Sequence, residues 1–220
     1  FYHAYIPFGA NARFIALIPK KENALDIRDF MLVAIGNTLP KFISKILEIR
    51  LGSITKDIFS KNQFGFVPGR NNQNYLYTAS KCVNILRKKV RYGNMDLKVY
   101  ISKDFDTMKC SFIFSMLKMH GFSNGCINLI SCIINSSMLS VLVNRSPRRF
   151  FKCSRGVRQG DPLSGLLFSI EEDYLSICIS DLMHAGLYHQ MTVGRRLFSH
   201  SHLFYADDIL MFGKADKITI

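Results

Sequence analysis

The chain has 220 residues, of which 48% are hydrophobic, and a formal net charge of +13. Such a length and apolar content suit one large globular domain or two small ones and exclude a largely disordered chain. The excess of Lys and Arg favours a polyanionic partner, most simply nucleic acid.

The first part of the chain is predicted to contain a strand followed by helices. Residues 12–18 form an apolar run of strand length, and the apolar residues of 41–51 recur at helical spacing. Residues 63–70 contain Gly and Pro at turn positions and are expected to form a loop. From Asn72 to Val90 the apolar residues recur on one helical face, which predicts a long helix with a basic C-terminal end.

The middle of the chain is predicted to contain both strands and helices. Residues 97–101 indicate a strand, and the apolar stripe within 112–120 indicates a helix. Ser123 is typical of a helix N-cap, so a second helix is expected to follow it. Residues 138–143 and 150–153 are predicted to be the two strands of a hairpin.

The clearest predicted helix begins at Asp161-Pro162, a capping residue followed by Pro in the first turn. The loop before it, Gly156–Gly160, has a glycine at each end, so its backbone can approach another molecule closely. Two short apolar strands are expected on either side of Asp207 and Asp208. The series as a whole predicts a globular α/β or α+β protein.

Targeting signals and cysteine spacing bear on where the chain acts. No apolar run approaches the roughly 20 residues of a membrane span, so no membrane partner is expected. The chain begins at Phe1 without a cleavable signal pattern, which predicts a piece of a longer product. Its six cysteines lack CxxC or metal-finger spacing, so we expect reduced, mostly buried thiols.

The adjacent acids Asp207 and Asp208 lie within the apolar and aromatic run 202–212. Bare carboxylates are costly in apolar surroundings, and a divalent metal can keep such a pair charged. Two metals that clamp the attacking and leaving oxygens are a common arrangement for nucleotidyl transfer. A surface β-turn is the other interpretation, because Asp favours turns. The dipeptide alone leaves both open.

Two basic clusters are candidates for contact with phosphates, which would give salt-sensitive affinity without sequence preference. The first is Arg87–Arg91, and the second consists of Arg145, Arg148, Arg149, Lys152, Arg155 and Arg158.

Several segments, taken in order, resemble the reverse transcriptases of non-LTR (LINE-type) retrotransposons, particularly those of plant genomes. The segments are Phe14–Lys21, Asp29-Phe30, Ile43–Leu47, Gln63–Arg70, Ile101–Asp106, Ser154–Ser164 and Tyr205–Asp208. The last three are similar to the first, second and third palm motifs. The match runs over nearly the whole chain, so its specificity is high.

This resemblance implies an α+β, right-hand polymerase fold of fingers and palm, with an antiparallel palm sheet packed on helices and the thumb absent. Residues 1–70 would be the fingers-like part, and 71–220 the palm with the remaining fingers elements. The implied activity is DNA synthesis from dNTPs on an RNA template and a DNA primer, with two Mg²⁺ ions. The implied location is nuclear or cytoplasmic.

The resemblance also assigns roles to individual residues. Asp207 and Asp208 would be the catalytic, metal-binding carboxylates, with Asp207 the stronger candidate for direct metal contact. Phe105 matches the aromatic gate that excludes a 2′-hydroxyl. The remaining nucleotide-binding candidates are Lys20, Lys21, Gln159 and Gly160, and the nucleic-acid-binding candidates are Arg70, Arg155 and Arg158.

Departures from the family pattern fall on the chemistry itself. Tyr100 occupies the slot of the first catalytic Asp, and a phenol with a pKa of about 10 cannot replace a carboxylate as a metal ligand at neutral pH. Met31 stands where the family has an Arg that grips the triphosphate, and Asp104 stands where it has a small Ala beside the gate. Milder changes are Pro40, Cys110 and Gly165.

We therefore predict a degraded copy whose polymerase activity is impaired. The alternatives are a non-catalytic remnant that binds nucleic acid and a group II intron maturase-like protein. The residue sequences of Ile18–Lys21 and Phe66–Arg70 favour the LINE type over the maturase.

Overall fold

The computed structural model describes residues 5–7, 9–90, 92–101, 104–143, 146–158, 160–193, 196–197 and 200–219. The chain divides into two compact units. The first consists of Phe1–Leu51 and Lys103–Phe168, and the second of Gly52–Ser102 and Ser169–Ile220. Each unit is therefore discontinuous along the chain, and the assignment of 1–70 to fingers and 71–220 to palm stays a prediction.

The secondary structure mixes strands and helices. The strands are β1 (Ala12–Pro19), β2 (Phe30–Gly36), β3 (Asn94–Tyr100), β4 (Met138–Val143), β5 (Ser146–Pro147), β6 (Thr192–Val193), β7 (Arg196–Leu197), β8 (His202–Tyr205) and β9 (Asp208–Lys214). The helices are α1 (Thr38–Ile58), α2 (Asn72–Leu86), α3 (Asp104–Thr107), α4 (Cys110–Met119), α5 (Asn124–Asn135) and α6 (Pro162–His184).

The first unit contains a four-stranded sheet in the order β2-β1-β4-β5. Strand β1 pairs antiparallel with β2 and parallel with β4. A buried ion pair anchors β1 to the start of α6, because Arg13 Nη2 lies 2.6 Å from Asp161 Oδ2. Asp161 also accepts a hydrogen bond from the Leu163 amide, so it caps the helix whose start the sequence predicted.

The second unit contains a three-stranded antiparallel sheet in the order β3-β9-β8. Side chains alternate between its two faces, as the pleat requires. One face packs on α2 through the cluster Phe64, Tyr75, Cys82, Ile85, Met191, Leu203 and Phe212. The other packs on the end of α6 through Ile179, Tyr188, Phe204 and Ile209. The predicted antiparallel sheet packed on helices is thereby confirmed.

Several local predictions differ from the structure. The partner strand of β4 lies at Ser146–Pro147, and Phe151 joins Leu139 only through an isolated bridge, so the strand predicted at 150–153 is wrong. Helix α2 ends at Leu86, before the basic residues that were expected at its end. Strand β2 was not predicted.

The prediction that most cysteines are buried is wrong, and their reduced state stays a prediction. All six cysteines are free thiols, but only Cys82 is buried, and Cys153 is exposed. Among the described residues, no helix combines the length and apolar character that a bilayer crossing requires.

Candidate active site

Asp207 and Asp208 lie at the tight turn that joins β8 to β9. Tyr205 and Asp208 are opposite each other in the ladder, and Ala206 adopts a left-handed conformation with φ of +51°. The loop at Gly65 packs against this turn so closely that an added Cβ would meet the Ala206 nitrogen at 2.4 Å. Residue 65 therefore has to be glycine for the loop to pack against the turn.

The Gly65 loop is itself held from two sides. A backbone hydrogen bond joins this loop to β8, because the Phe64 amide donates to the Phe204 carbonyl at 2.9 Å. From α6, the Ser169 hydroxyl donates to the Gly65 carbonyl at 2.9 Å. The buried Gln63 side chain donates to Glu172 at 2.6 Å. These contacts fix the loop behind the two aspartates.

Tyr100 lies beside the aspartate pair. The β3–β9 register places it directly opposite Asp208. The next residue, Ile101, donates its amide to the Asp207 carbonyl at 3.3 Å. The Tyr100 residue is 64% exposed, so it stands at the surface of the sheet rather than in the core.

Lys98 is the residue of this site that sequence reasoning missed. Its ammonium lies 2.7 Å from Asp208 Oδ1. The hydrogen bond to Asp208, the charge of Asp208 and, less strongly, that of Asp207 raise the pKa of Lys98. The signal in the sequence was the alternation of a strand, because residues 98 and 100 share one face. Its pairing with Asp208 depends on the register, which the sequence does not show.

The donor set at this turn does not fit a two-metal centre. Hard divalent cations take several oxygen ligands, chiefly carboxylates. Here the Lys98 ammonium contacts Asp208, and the residue opposite Asp208 in the ladder is a tyrosine rather than an acid. In the part of the chain that the structure describes, no group of three or more His, Cys, Asp or Glu could hold a metal ion.

Arg70, a predicted nucleic-acid contact, is used within the fold. Its guanidinium donates to the carbonyls of Ser60, Gln63, Lys56 and Phe59, where α1 ends and the next loop begins. Desolvation by burial lowers its pKa. Since the last carbonyls of a helix need donors, Arg70 acts as a side-chain cap for α1.

In the first unit, the predicted gate and the predicted loop contact each other. The Phe105 ring stacks on Phe168 with centroids 5.1 Å apart. The Phe105 carbonyl accepts from the Val157 amide at 2.8 Å. Gly156 has φ of +84°, and an added Cβ would lie 2.9 Å from that same carbonyl. Gly160 also has a positive φ, and Gln159 lies outside the described residues.

A cavity of about 450 Å³ lies beside this loop within the first unit. The face of the sheet around Ile15 and Leu32 forms one side, and Asp106, Phe151 and the Gly156 loop form another. Arg155 and Arg158 both line it. The lining is mostly apolar, with two arginines and one aspartate, and suits a planar group whose negative charge lies toward the arginines.

The two arginines of this cavity differ in the exposure of their side chains. Arg158 donates to the Ile133 and Ile134 carbonyls at the end of α5, and burial lowers its pKa to about 10. Arg155 is exposed, and its backbone bridges to Lys109. Arg155 is therefore the better placed of the two to contact a phosphate.

Lys20 and Lys21 lie at the end of β1 and are exposed. The Lys21 ammonium is 2.8 Å from Asp29 Oδ1, and this contact lowers the pKa of Asp29. Met31 pairs with Ile18 across the β1–β2 ladder. The family resemblance predicts an Arg at this position, and the strand has an uncharged thioether there.

Comparison with known proteins supplies an independent line of inference. Residues 18–219 match the family model described as "Reverse transcriptase (RNA-dependent DNA polymerase)". The chain is 25% identical over 210 residues to a Xenopus laevis protein named "Transposon TX1 uncharacterized 149 kDa protein". It is 24% identical over 200 residues to the Drosophila melanogaster "Retrovirus-related Pol polyprotein from type-2 retrotransposable element R2DM".

These alignments cover 94% and 90% of the chain but only 15% and 18% of the two relatives. Among solved structures, the chain is similar to telomerase of Candida tropicalis in complex with a telomeric RNA fragment. The TM-score is 0.62 at 14% identity, over 96% of the chain and 37% of the telomerase. Telomerase of Candida albicans gives a TM-score of 0.64 at 13% identity, over 94% and 39%. These structural likenesses show the fold, which is that of a right-hand polymerase.

Proposed function

Because the chain belongs to the reverse transcriptase family, we propose that it is a retrotransposon polymerase domain that binds nucleic acid without synthesising DNA. Members of this family generally use divalent metal ions, and nucleic acid is their partner. The finer proposal is that the chain takes an RNA template with a DNA primer and has lost productive use of Mg²⁺ and dNTPs. Its relatives are named for R2 and TX1 elements, which favours a LINE-type origin over a maturase.

The main support for the proposed loss of activity is the position of Tyr100 opposite Asp208. In a two-metal displacement, carboxylates hold the cations that neutralise charge on the attacking and leaving oxygens. A neutral phenol at this position contributes neither negative charge nor a hard anionic ligand. Preorganised electrostatics is usually the largest contribution to such catalysis, so this single replacement is expected to be severe.

Changes at the predicted nucleotide site point the same way. Met31 provides no positive charge for a triphosphate, and no bidentate donors. Asp104 directly precedes the predicted gate Phe105 in the sequence, where the family resemblance predicts a small Ala, and a carboxylate at that position would repel an anionic substrate. Either change weakens nucleotide binding independently of the metal.

Retained nucleic-acid binding is supported by charge and exposure. The chain carries a net charge of +13. Arg155 is exposed at the rim of a cavity large enough for a base, and Arg87, Lys88 and Lys89 are exposed after α2. Each phosphate contact releases counterions, which makes the affinity fall with salt.

Filter binding of an RNA–DNA primer–template at several salt concentrations tests this proposal. We expect a steep negative slope of log affinity against log salt. The Arg155→Met variant should reduce the magnitude of that slope by about 1. Arg28→Met is the matched control, because Arg28 is exposed but paired with Asp26. An affinity that does not change with salt would contradict the proposal that nucleic acid is a partner. Incorporation of dNTPs by the same complex would remove the proposed loss of activity.

A further inference from the structure

The side chains that surround the aspartate turn carry an internal positive charge. The Lys98 ammonium lies 2.7 Å from Asp208 Oδ1, and the two side chains are 60% and 39% exposed. Lys98 reaches Asp208 diagonally, because Leu210 is its own partner in the ladder and Tyr100 is the partner of Asp208. Position 98 is thus held by the strand itself within reach of the carboxylate.

This ammonium competes with any metal for the same oxygen. A divalent cation bound by Asp207 and Asp208 would have to displace Lys98 from Asp208 Oδ1 or remain next to its charge. Two like charges separated by a few ångströms repel appreciably even at a protein surface. With Tyr100 supplying no carboxylate, nothing at the neighbouring ladder position offsets that repulsion.

We propose that Lys98 takes the place of a divalent metal at the Asp207–Asp208 turn. Its ammonium is the resident counter-ion of Asp208, offsets one of the two negative charges of the turn without metal, and excludes divalent cations from it. This inference goes beyond the proposed function, because it concerns the free chain and holds whether or not nucleic acid binds.

Titration of the 220-residue chain with Mn²⁺, with free Mn²⁺ followed by electron paramagnetic resonance, tests the proposal. The wild-type chain should show no saturable binding at sub-millimolar Mn²⁺. Lys98→Met should strengthen Mn²⁺ binding at least tenfold, and Lys98→Met with Asp208→Asn should abolish the gain. Lys98→Arg keeps the positive charge and should behave as wild type.

Lys89→Met is the control for net charge, because Lys89 is an exposed lysine that follows α2. Circular dichroism spectra confirm that each variant is folded before titration. The proposal is overturned if the wild-type chain already binds Mn²⁺ tightly, if Lys98→Met gives no gain, or if Lys89→Met gives the same gain. Primer extension plays no part in these measurements, so the proposal and the proposed function fail separately.

Discussion

Tyr100 and Asp208 face each other across the β3–β9 ladder, and the amide of the residue after Tyr100 donates to the Asp207 carbonyl. The family resemblance predicts a carboxylate at that ladder position, and this chain has a tyrosine there. The hairpin, the ladder and the Gly65 loop therefore surround two carboxylates, a lysine and a tyrosine.

Restoring the acid alone is expected to be insufficient. Tyr100→Asp provides a third carboxylate at the turn, but Met31 and Asp104 still disfavour the triphosphate. Primer extension on an RNA template with Mg²⁺ and dNTPs should therefore give no product with this variant. Full-length product from Tyr100→Asp would mean that positions 31 and 104 matter less than their chemistry indicates.

Arg70 should contribute to stability rather than to nucleic-acid affinity. Arg70→Met removes donors from four carbonyls near the end of α1. Hydrogen bonds to charged groups are worth about 1.5 to 3 kcal/mol each. Three of these four bonds are partly buried and one is exposed, so we expect a total cost of about 2 kcal/mol. Urea unfolding measures it, with the exposed Arg87→Met as control. Equal unfolding midpoints for the two variants would refute the capping role.

Gly65 should tolerate no side chain. Gly65→Ala would place a Cβ 2.4 Å from the Ala206 backbone, and neither the turn nor the loop can move freely. Overpacking of this kind costs about 1 to 3 kcal/mol. The control is Gly125→Ala in α5, where the nearest atom lies 3.9 Å from the added Cβ. Thermal unfolding should separate the two variants, and similar melting temperatures would contradict the close approach.

Stability should fall as the pH drops below neutrality because of His202. Burial lowers its pKa from 6.5 to about 4, and Ser176 and Ser201 hydrogen-bond to its ring. The unfolded chain takes up the proton near pH 6.5 while the folded chain does not, so stability is lost between pH 6.5 and about 4 and then levels off. The loss attributable to His202 reaches about 3 kcal/mol, at roughly 1.4 kcal/mol for each pKa unit.

Urea unfolding at pH 7 and pH 5 measures this dependence. His202→Gln should flatten it, whereas His184→Gln, at an exposed position, should not. A slope that is unchanged in His202→Gln would assign the dependence to other groups.

Local patterns in the sequence predicted the parts of the fold that depend on neighbouring residues. The start of α6 was predictable because Asp161-Pro162 is a capping pair, and Ser123 caps α5 as expected. The strands around Asp207 were predictable from apolar runs on either side of a turn. Strand β2 was not, because residues 30–36 are apolar without alternation and become a strand only by pairing with β1.

Features that depend on long-range contacts could not be predicted from the sequence. Arg70 and Arg158 are predicted to bind nucleic acid, and the sequence did not show that each donates to carbonyls at the end of a helix. The contact of Lys98 with Asp208 depends on the β3–β9 register, which no local pattern specifies. The site residues that the family resemblance supplies therefore remain predictions until they are tested directly.

Primer extension by the unmodified chain is the most direct test of the proposed loss of catalysis. The reaction contains an RNA template, an annealed DNA primer at saturating protein, dNTPs and Mg²⁺, and a parallel reaction contains the Tyr100→Asp, Met31→Arg and Asp104→Ala triple variant. We expect no extension by the unmodified chain, and any recovery only in the triple variant. Template-dependent extension by the unmodified chain would contradict the loss of catalysis at Tyr100.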